Sequence, residues 1–150
     1  MRVVLQRVKS ARVCVDGRVV GAIDRGLLIL GAIAATDGPA DLLWMVEKLK
    51  TLRVFDDAEG KMNLSLEDVG GAVLLVSQFT LFGECRKGRR PDFTGAAPVA
   101  QAAALFDHFV KLFRETGLKV ETGVFRAMMD VELVNDGPVT LILESPPTKS

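Results

Sequence analysis

The sequence predicts a layered α/β domain in which a mixed β-sheet carries helices on its surface. Three observations lead there. Strand-like segments fill roughly the first 35 residues. Two helical stripes, opening at Pro39 and at Pro98, flank an apolar run over 72–81. Three more strand-like segments close the chain. The order ββ, β, α, β, α, βββ lets both helices cover one sheet and bury their apolar sides against it.

Val13 and Val15 alternate with Arg12 and Cys14, and Asp16-Gly17 supplies a hairpin turn into Val19-Val20. Leu27 to Ile33 is almost continuously apolar, as a strand covered on both faces must be. Asp37-Gly38-Pro39 opens a helix, because proline is tolerated in a first turn. From Ala40 to about Phe55, the residues Leu42, Met45, Val46, Leu49 and Leu52 recur at helical spacing, with Glu47, Lys48 and Lys50 on other faces. Ala72 to Leu81 reads as another apolar strand. Pro98 opens a second helix to about Thr116, striped by Ala102, Phe106, Phe109, Val110 and Phe113, and Gly117 suits the left-handed position past its end. Strands are expected over 119–125, 128–134 and 139–144. Residues 1–145 are expected to form one domain and 146–150 a frayed tail.

The chain has 150 residues and carries 19 basic against 19 acidic side chains, a formal charge of zero. A global basic field for nucleic acid is therefore missing, and any such contact must use a local patch. No apolar run reaches the roughly 18 residues of a membrane span, so no membrane association is expected. The N-terminal stretch has charges inside its apolar run and does not read as a signal peptide. Cys14 and Cys85 lack CxxC or Cys/His spacing, which points to reduced thiols and a cytoplasmic location.

Acid–base and metal chemistry find little footing. The one histidine, His108, sits in the second helix on the flank of its apolar stripe, where a boundary residue is expected. Carboxylates are scattered and form no metal-ligand cluster with histidine or cysteine. Ser77-Gln78-Phe79-Thr80 is more informative, because polar residues directly after a buried strand mark a strand end, where sites in α/β sheets form. The N–H groups of Phe79 and Thr80 could stabilise an oxyanion if strand pairing leaves them free. The same hydroxyls could equally do no more than satisfy the strand end. Asn135-Asp136-Gly137-Pro138 reads as a turn between strands, with a trans bond favoured by sequence alone. Arg86-Lys87-Gly88-Arg89-Arg90 is either a solvated loop or the one concentrated site for phosphates.

Taken together these segments resemble the D-aminoacyl-tRNA deacylases. The resemblance runs from Met1-Arg2-Val3-Val4-Leu5-Gln6-Arg7-Val8 to Leu141. It is carried by Ser77-Gln78-Phe79-Thr80-Leu81 and Asn135-Asp136-Gly137-Pro138-Val139-Thr140. Lys87 to Phe93 and Thr122-Gly123-Val124-Phe125 also look like family segments. Arg126 stands where many relatives carry glycine.

The resemblance implies a layered α/β/β domain with a mixed, barrel-like sheet and two main helices. It implies a homodimer acting on aminoacylated tRNA without metal or cofactor. Gly137-Pro138 of one copy, joined by a cis bond, would enter the other copy's pocket beside Ser77, Gln78, Phe79 and Thr80. Its carbonyls would exclude L side chains, and glycyl-tRNA would escape that exclusion. The Phe79 and Thr80 amides would hold the ester carbonyl, with help from the 2′-hydroxyl of the terminal adenosine. Phe125 and Met129 would line the adenosine pocket, Ala102 would lie near the amino acid and Arg7 would brace the Gly-Pro loop. Arg86, Lys87, Arg89 and Arg90 would meet acceptor-stem phosphates. A non-catalytic RNA-binding module is the contrasting possibility. It lacks an evident stacking surface, since tyrosine is absent and Trp44 falls in a helical pattern.

Overall fold

The computed structural model describes residues 1–147; residues 148–150 of the expected tail lie outside the described residues. Its elements are β1 (Arg2–Val15), β2 (Arg18–Ile23), β3 (Gly26–Ala32), α1 (Pro39–Thr51), β4 (Phe55–Asp56), β5 (Met62–Leu64), α2 (Leu66–Val69), β6 (Ala72–Ser77), a 3₁₀ turn (Phe79–Phe82), α3 (Val99–Arg114), β7 (Val120–Thr122) and β8 (Asp130–Glu144).

The sheet is mixed, as expected. Its order is β2-β1-β3-β6-β7, with β8 on the other side of β1. Contacts of β1 with β2, β3 and β8 are antiparallel, while β3–β6 and β6–β7 are parallel. Parallel neighbours need crossovers, and α1 and α3 supply them. Curvature brings β2 back towards β7. A Cβ on Gly21 would lie 2.4 Å from the Thr122 carbonyl oxygen, an approach only glycine permits. The sheet is thus a nearly closed barrel.

Two cores follow from this curl. Val3, Leu5, Leu27, Ile29, Val73 and Leu75 face α1 and α3, where Leu42, Met45, Leu49, Phe109 and Phe113 meet them. Val8, Val13, Ile23, Leu28, Leu74 and Val76 fill the inside of the barrel with Met129, Val131 and Leu133. Successive residues of β3 and β6 enter opposite cores, which is why both segments are apolar throughout. Burial of so many branched side chains is the main force holding the strands in register.

Four boundaries differ from the sequence-based expectation. The first helix ends at Thr51, short of Phe55, because Leu52 turns extended and the following chain is drawn elsewhere. Val54 is buried with its carbonyl held by Arg7 Nη1 at 2.8 Å, and Phe55 pairs with Leu64. The apolar run from Ala72 stays a strand only to Ser77, and Phe79 to Phe82 wind into a 3₁₀ turn. In the third case β7 is confined to Val120–Thr122, leaving Phe125 in the turn beyond it. Finally, the expected strands 128–134 and 139–144 are one strand, both halves paired with β1. The β4–β5 hairpin and α2 had no counterpart in the sequence reading. Ser65 caps α2 by accepting from Asp68 N–H, and the Asp68 carboxylate accepts from Ser65 N–H in return.

Candidate active site at the strand ends

Ser77 ends β6 opposite Gly31, and Gln78 N–H still donates to the Gly31 carbonyl at 2.8 Å. There β3 stops at Ala32, so the next residues of the other strand lose their ladder. Leu81 N–H turns back to the Gln78 carbonyl and Gly83 N–H to that of Thr80, at 3.2 and 2.9 Å. A turn that begins this way leaves its first N–H groups without an internal acceptor. Among the described residues, neither Phe79 N–H nor Thr80 N–H is given to an acceptor. Gln78 Nε2 donates to Thr80 Oγ1 at 2.5 Å, and no histidine or carboxylate bonds that hydroxyl among the described residues. Thr80 therefore has an orienting partner but no base.

Arg2 fixes the turn from outside. Its Nη1 donates to the Leu81 carbonyl at 2.8 Å, its Nε to Glu144 Oε1 at 2.6 Å, and its Cζ lies 4.9 Å from the centre of the Phe82 ring. Sequence reasoning missed this residue, because an arginine inside a strand gives no hint of a partner 79 positions away.

At the end of β6 a cleft of about 620 Å³ is lined by Ser77 and Phe125, with Ala103, Ala104, Asp107 and Arg114 from α3, and does not reach Phe79 or Thr80. Two expected site residues are thus brought to one cavity. Ala102 packs against the helix-side core next to the lining Ala103, and Met129 packs against the inner barrel core. The small side chains on this face of α3 keep the cleft open. His108 is exposed on the same helix, and no group of three or more metal-ligating side chains occurs among the described residues. Both cysteines are free.

The second segment is a bulge in β8. Val8 pairs with Asn135 and Gln6 with Thr140, so the single residue Arg7 faces the four residues 136–139. The extra chain is pushed outward, and Gly137 and Pro138 are exposed. The Gly137-Pro138 bond is cis. Asn135 ties the base of the bulge: its Oδ1 accepts from Val139 N–H at 2.7 Å and its Nδ2 donates to Thr140 Oγ1 at 2.9 Å. Gly137 has φ +134°, and an added Cβ would stand 3.0 Å from Val139 Cγ2 and 3.1 Å from Arg7 Nη2. Only glycine suits that position without displacement.

Arg7 fills the space opposite the bulge. Its side chain is only 7% exposed. Nε donates to the Asp136 carbonyl at 2.9 Å, and Nη1 donates to the Val54 carbonyl at 2.8 Å and to Asp56 Oδ1 at 3.2 Å. The Asp136 carboxylate is 3.7 Å away. One guanidinium thus clamps the bulge to the β4–β5 hairpin, using the planar fork that lysine lacks. That hairpin is itself organised by Asp57, whose carboxyl is held below its usual range first by Lys61 N–H, then by Glu59 N–H and Asn63.

Within one chain the two segments stay apart. Arg7 aligns with Leu27 and Val73, whereas Ser77 lies four residues further along β6. Three strand spacings across and four residues along put bulge and turn on the order of 15–20 Å apart. The cationic loop, by contrast, adjoins the turn. Glu84 and Asp92 exchange backbone hydrogen bonds at its base, and Arg86, Lys87, Arg89 and Arg90 are exposed.

A family model described as D-Tyr-tRNA(Tyr) deacylase matches residues 4–144. A protein of Anaeromyxobacter dehalogenans named D-aminoacyl-tRNA deacylase is 59% identical over 145 residues, covering 97% of each chain. Another of that name, from Thermotoga petrophila, is 56% identical with the same coverage. A solved structure titled c-Myc DNA Unwinding Element Binding Protein superposes with a TM-score of 0.92 at 43% identity, covering 97% of this chain and 99% of that one. With the family model spanning the sheet, the strand-end turn and the bulge alike, the chain belongs to the D-Tyr-tRNA(Tyr) deacylase family.

Proposed function

We propose that the protein hydrolyses the ester bond of D-aminoacyl-tRNA, releasing tRNA and the D-amino acid. The observation that carries this reading is the pair of unclaimed N–H groups at Phe79 and Thr80, just past the cleft-lining Ser77 and without a base. Attack of water on the ester carbonyl places negative charge on its oxygen, and preorganised backbone donors stabilise that charge. The bond to the ribose oxygen then breaks. An adjacent 2′-hydroxyl on the terminal adenosine assists, so the protein needs no acid–base side chain for an activated ester. Phe125 and Met129 receive the adenosine and Ala102 the amino-acid end, while Arg86, Lys87, Arg89 and Arg90 meet phosphates.

Chirality is read by the bulge of a second copy. Its distance from Ser77 within one chain supports a site shared between subunits of a homodimer. The outer edge of β8, which pairs no strand among the described residues, exposes Val134, Leu141 and Ile142 for such a contact. Carbonyls around Gly137-Pro138 would then crowd an L side chain, whereas glycine, with none, is accepted. Among the described residues no helix is long and apolar enough to cross a membrane.

The test is the release of free tyrosine from D- and L-tyrosyl-tRNA in the presence of a chelator. The expected result is rapid release from the D ester, also from glycyl-tRNA, and at least about 10²-fold slower release from the L ester. Equal rates on both enantiomers would remove the bulge from the account, and dependence on added metal would remove the backbone mechanism.

A further inference from the structure

The loop beyond the strand-end turn carries an aromatic feature that the proposed reaction leaves unused. At its foot Phe93 meets Phe79 edge to face, with ring centroids 5.3 Å apart and planes at 70°. Gly83 permits the approach, since a Cβ there would lie 3.1 Å from the Phe93 ring. Side chains of this size usually bury themselves, as Phe106, Phe109 and Phe113 do at 7% exposure or less. Phe79 is instead 55% exposed and Phe93 37%. The pair presents ring surface to the outside directly beside Thr80.

Charge surrounds this surface on one side. The Glu84–Asp92 closure lifts Arg86, Lys87, Arg89 and Arg90 on a hairpin-like loop that returns to Phe93. Among the described residues Lys87, Arg89 and Arg90 form no ion pair, and Arg86 reaches Glu84 only at 3.6 Å. Unpaired nucleic acid is held by this combination, cations tracking the backbone and aromatic rings taking the bases.

We infer that the Phe93 ring, braced by Phe79, is a stacking surface for the unpaired base that precedes the terminal adenosine of the RNA 3′ strand. The assignment rests on the proposed deacylase reading for the identity of the RNA, and goes beyond it in naming the residue that grips a second nucleotide. In this assignment the preceding nucleotide passes the ring towards the cationic loop that the Glu84–Asp92 closure sets beside it. Counting tyrosine and tryptophan overlooked a phenylalanine pair that only the fold leaves uncovered.

The experiment uses a short single-stranded RNA ending in CCA, with fluorescent 2-aminopurine in place of the penultimate base. It is titrated with the wild type, Phe93→Tyr and Phe93→Leu, and the mass of each protein in solution is measured alongside. Quenching by the wild type and Phe93→Tyr, and about tenfold weaker binding without quenching by Phe93→Leu, is the expected result. On D-tyrosyl-tRNA, Phe93→Leu raises KM about tenfold while kcat stays within about twofold. Undiminished quenching by Phe93→Leu overturns the inference. So does a change of oligomeric mass in that variant, which would make the aromatic pair a contact between copies. Wild-type protein that quenches the probe yet frees no D-tyrosine keeps the stacking surface and removes only the reaction.

Discussion

At the strand-end turn the chain runs out of neighbours, whereas at the β8 bulge it has more chain than its neighbour can pair. Ser77 and Gln78 still lie against Gly31, but β3 ends one residue later and the Phe79 and Thr80 N–H groups are left over. In the bulge the base is tied by side chains: Asn135 spans to Val139 and Thr140, and Arg7 binds Asp136, Val54 and Asp56. One region offers unsatisfied donors; the other offers stiffness. A group that must stabilise transient charge has to be free beforehand. A group that rejects a substrate by contact has to be unable to move away. Under the proposed reading, the division between holding the ester and judging its handedness follows this difference in hydrogen bonding.

The sharpest way to break this comparison is Gly137→Val. Positive φ and contacts near 3 Å leave no room for a branched side chain, so the bulge must deform. Hydrolysis of D-tyrosyl-tRNA is expected to fall by about 10²-fold or more, with circular dichroism showing the sheet intact. A wild-type rate would disconnect the bulge from the reaction. Arg7→Lys is next. It leaves the buried carbonyl of Val54 and the half-buried one of Asp136 without their fork, costing about 1–3 kcal/mol in denaturant unfolding. It should narrow the D-over-L preference more than it slows turnover of the D ester. An unchanged preference would make Arg7 a purely structural residue. The smallest effect belongs to His108→Ala, where rate and stability should both stay near wild type because the side chain is exposed on α3. A large loss there would reinstate acid–base catalysis.

These contrasts also explain what could be read from the sequence. Core positions of β3, β6 and both long helices were legible, because their periodicity follows directly from which faces are covered. Ser77 was legible as a site position as well, since polar residues break an otherwise unbroken apolar run. The turn after it was not: Phe79, Leu81 and Phe82 look like more strand, and only the end of β3 at Ala32 decides otherwise. Likewise Asn135 to Pro138 has the composition of a turn between strands, yet β1 is long enough to pair on both sides of it and makes it a bulge. Arg7 takes partners 47 and 129 residues away. Such long-range contacts leave no local trace, so its bracing role came only from family resemblance. The premature end of α1 has the same origin in the Val54 carbonyl.

The central claim is that one working site takes its amides from one copy and its bulge from another. Subunit exchange tests it most directly. Gly137→Val removes the bulge, and Thr80→Pro removes one of the two amide donors, so each protein alone should be nearly inactive. Mixed dimers unite one intact turn with one intact bulge. After exchange to random pairing, activity on D-tyrosyl-tRNA is expected to return to about a quarter of the wild-type value. Mixed dimers that form, as mass spectrometry would show, but stay as inactive as their parents would contradict the shared site.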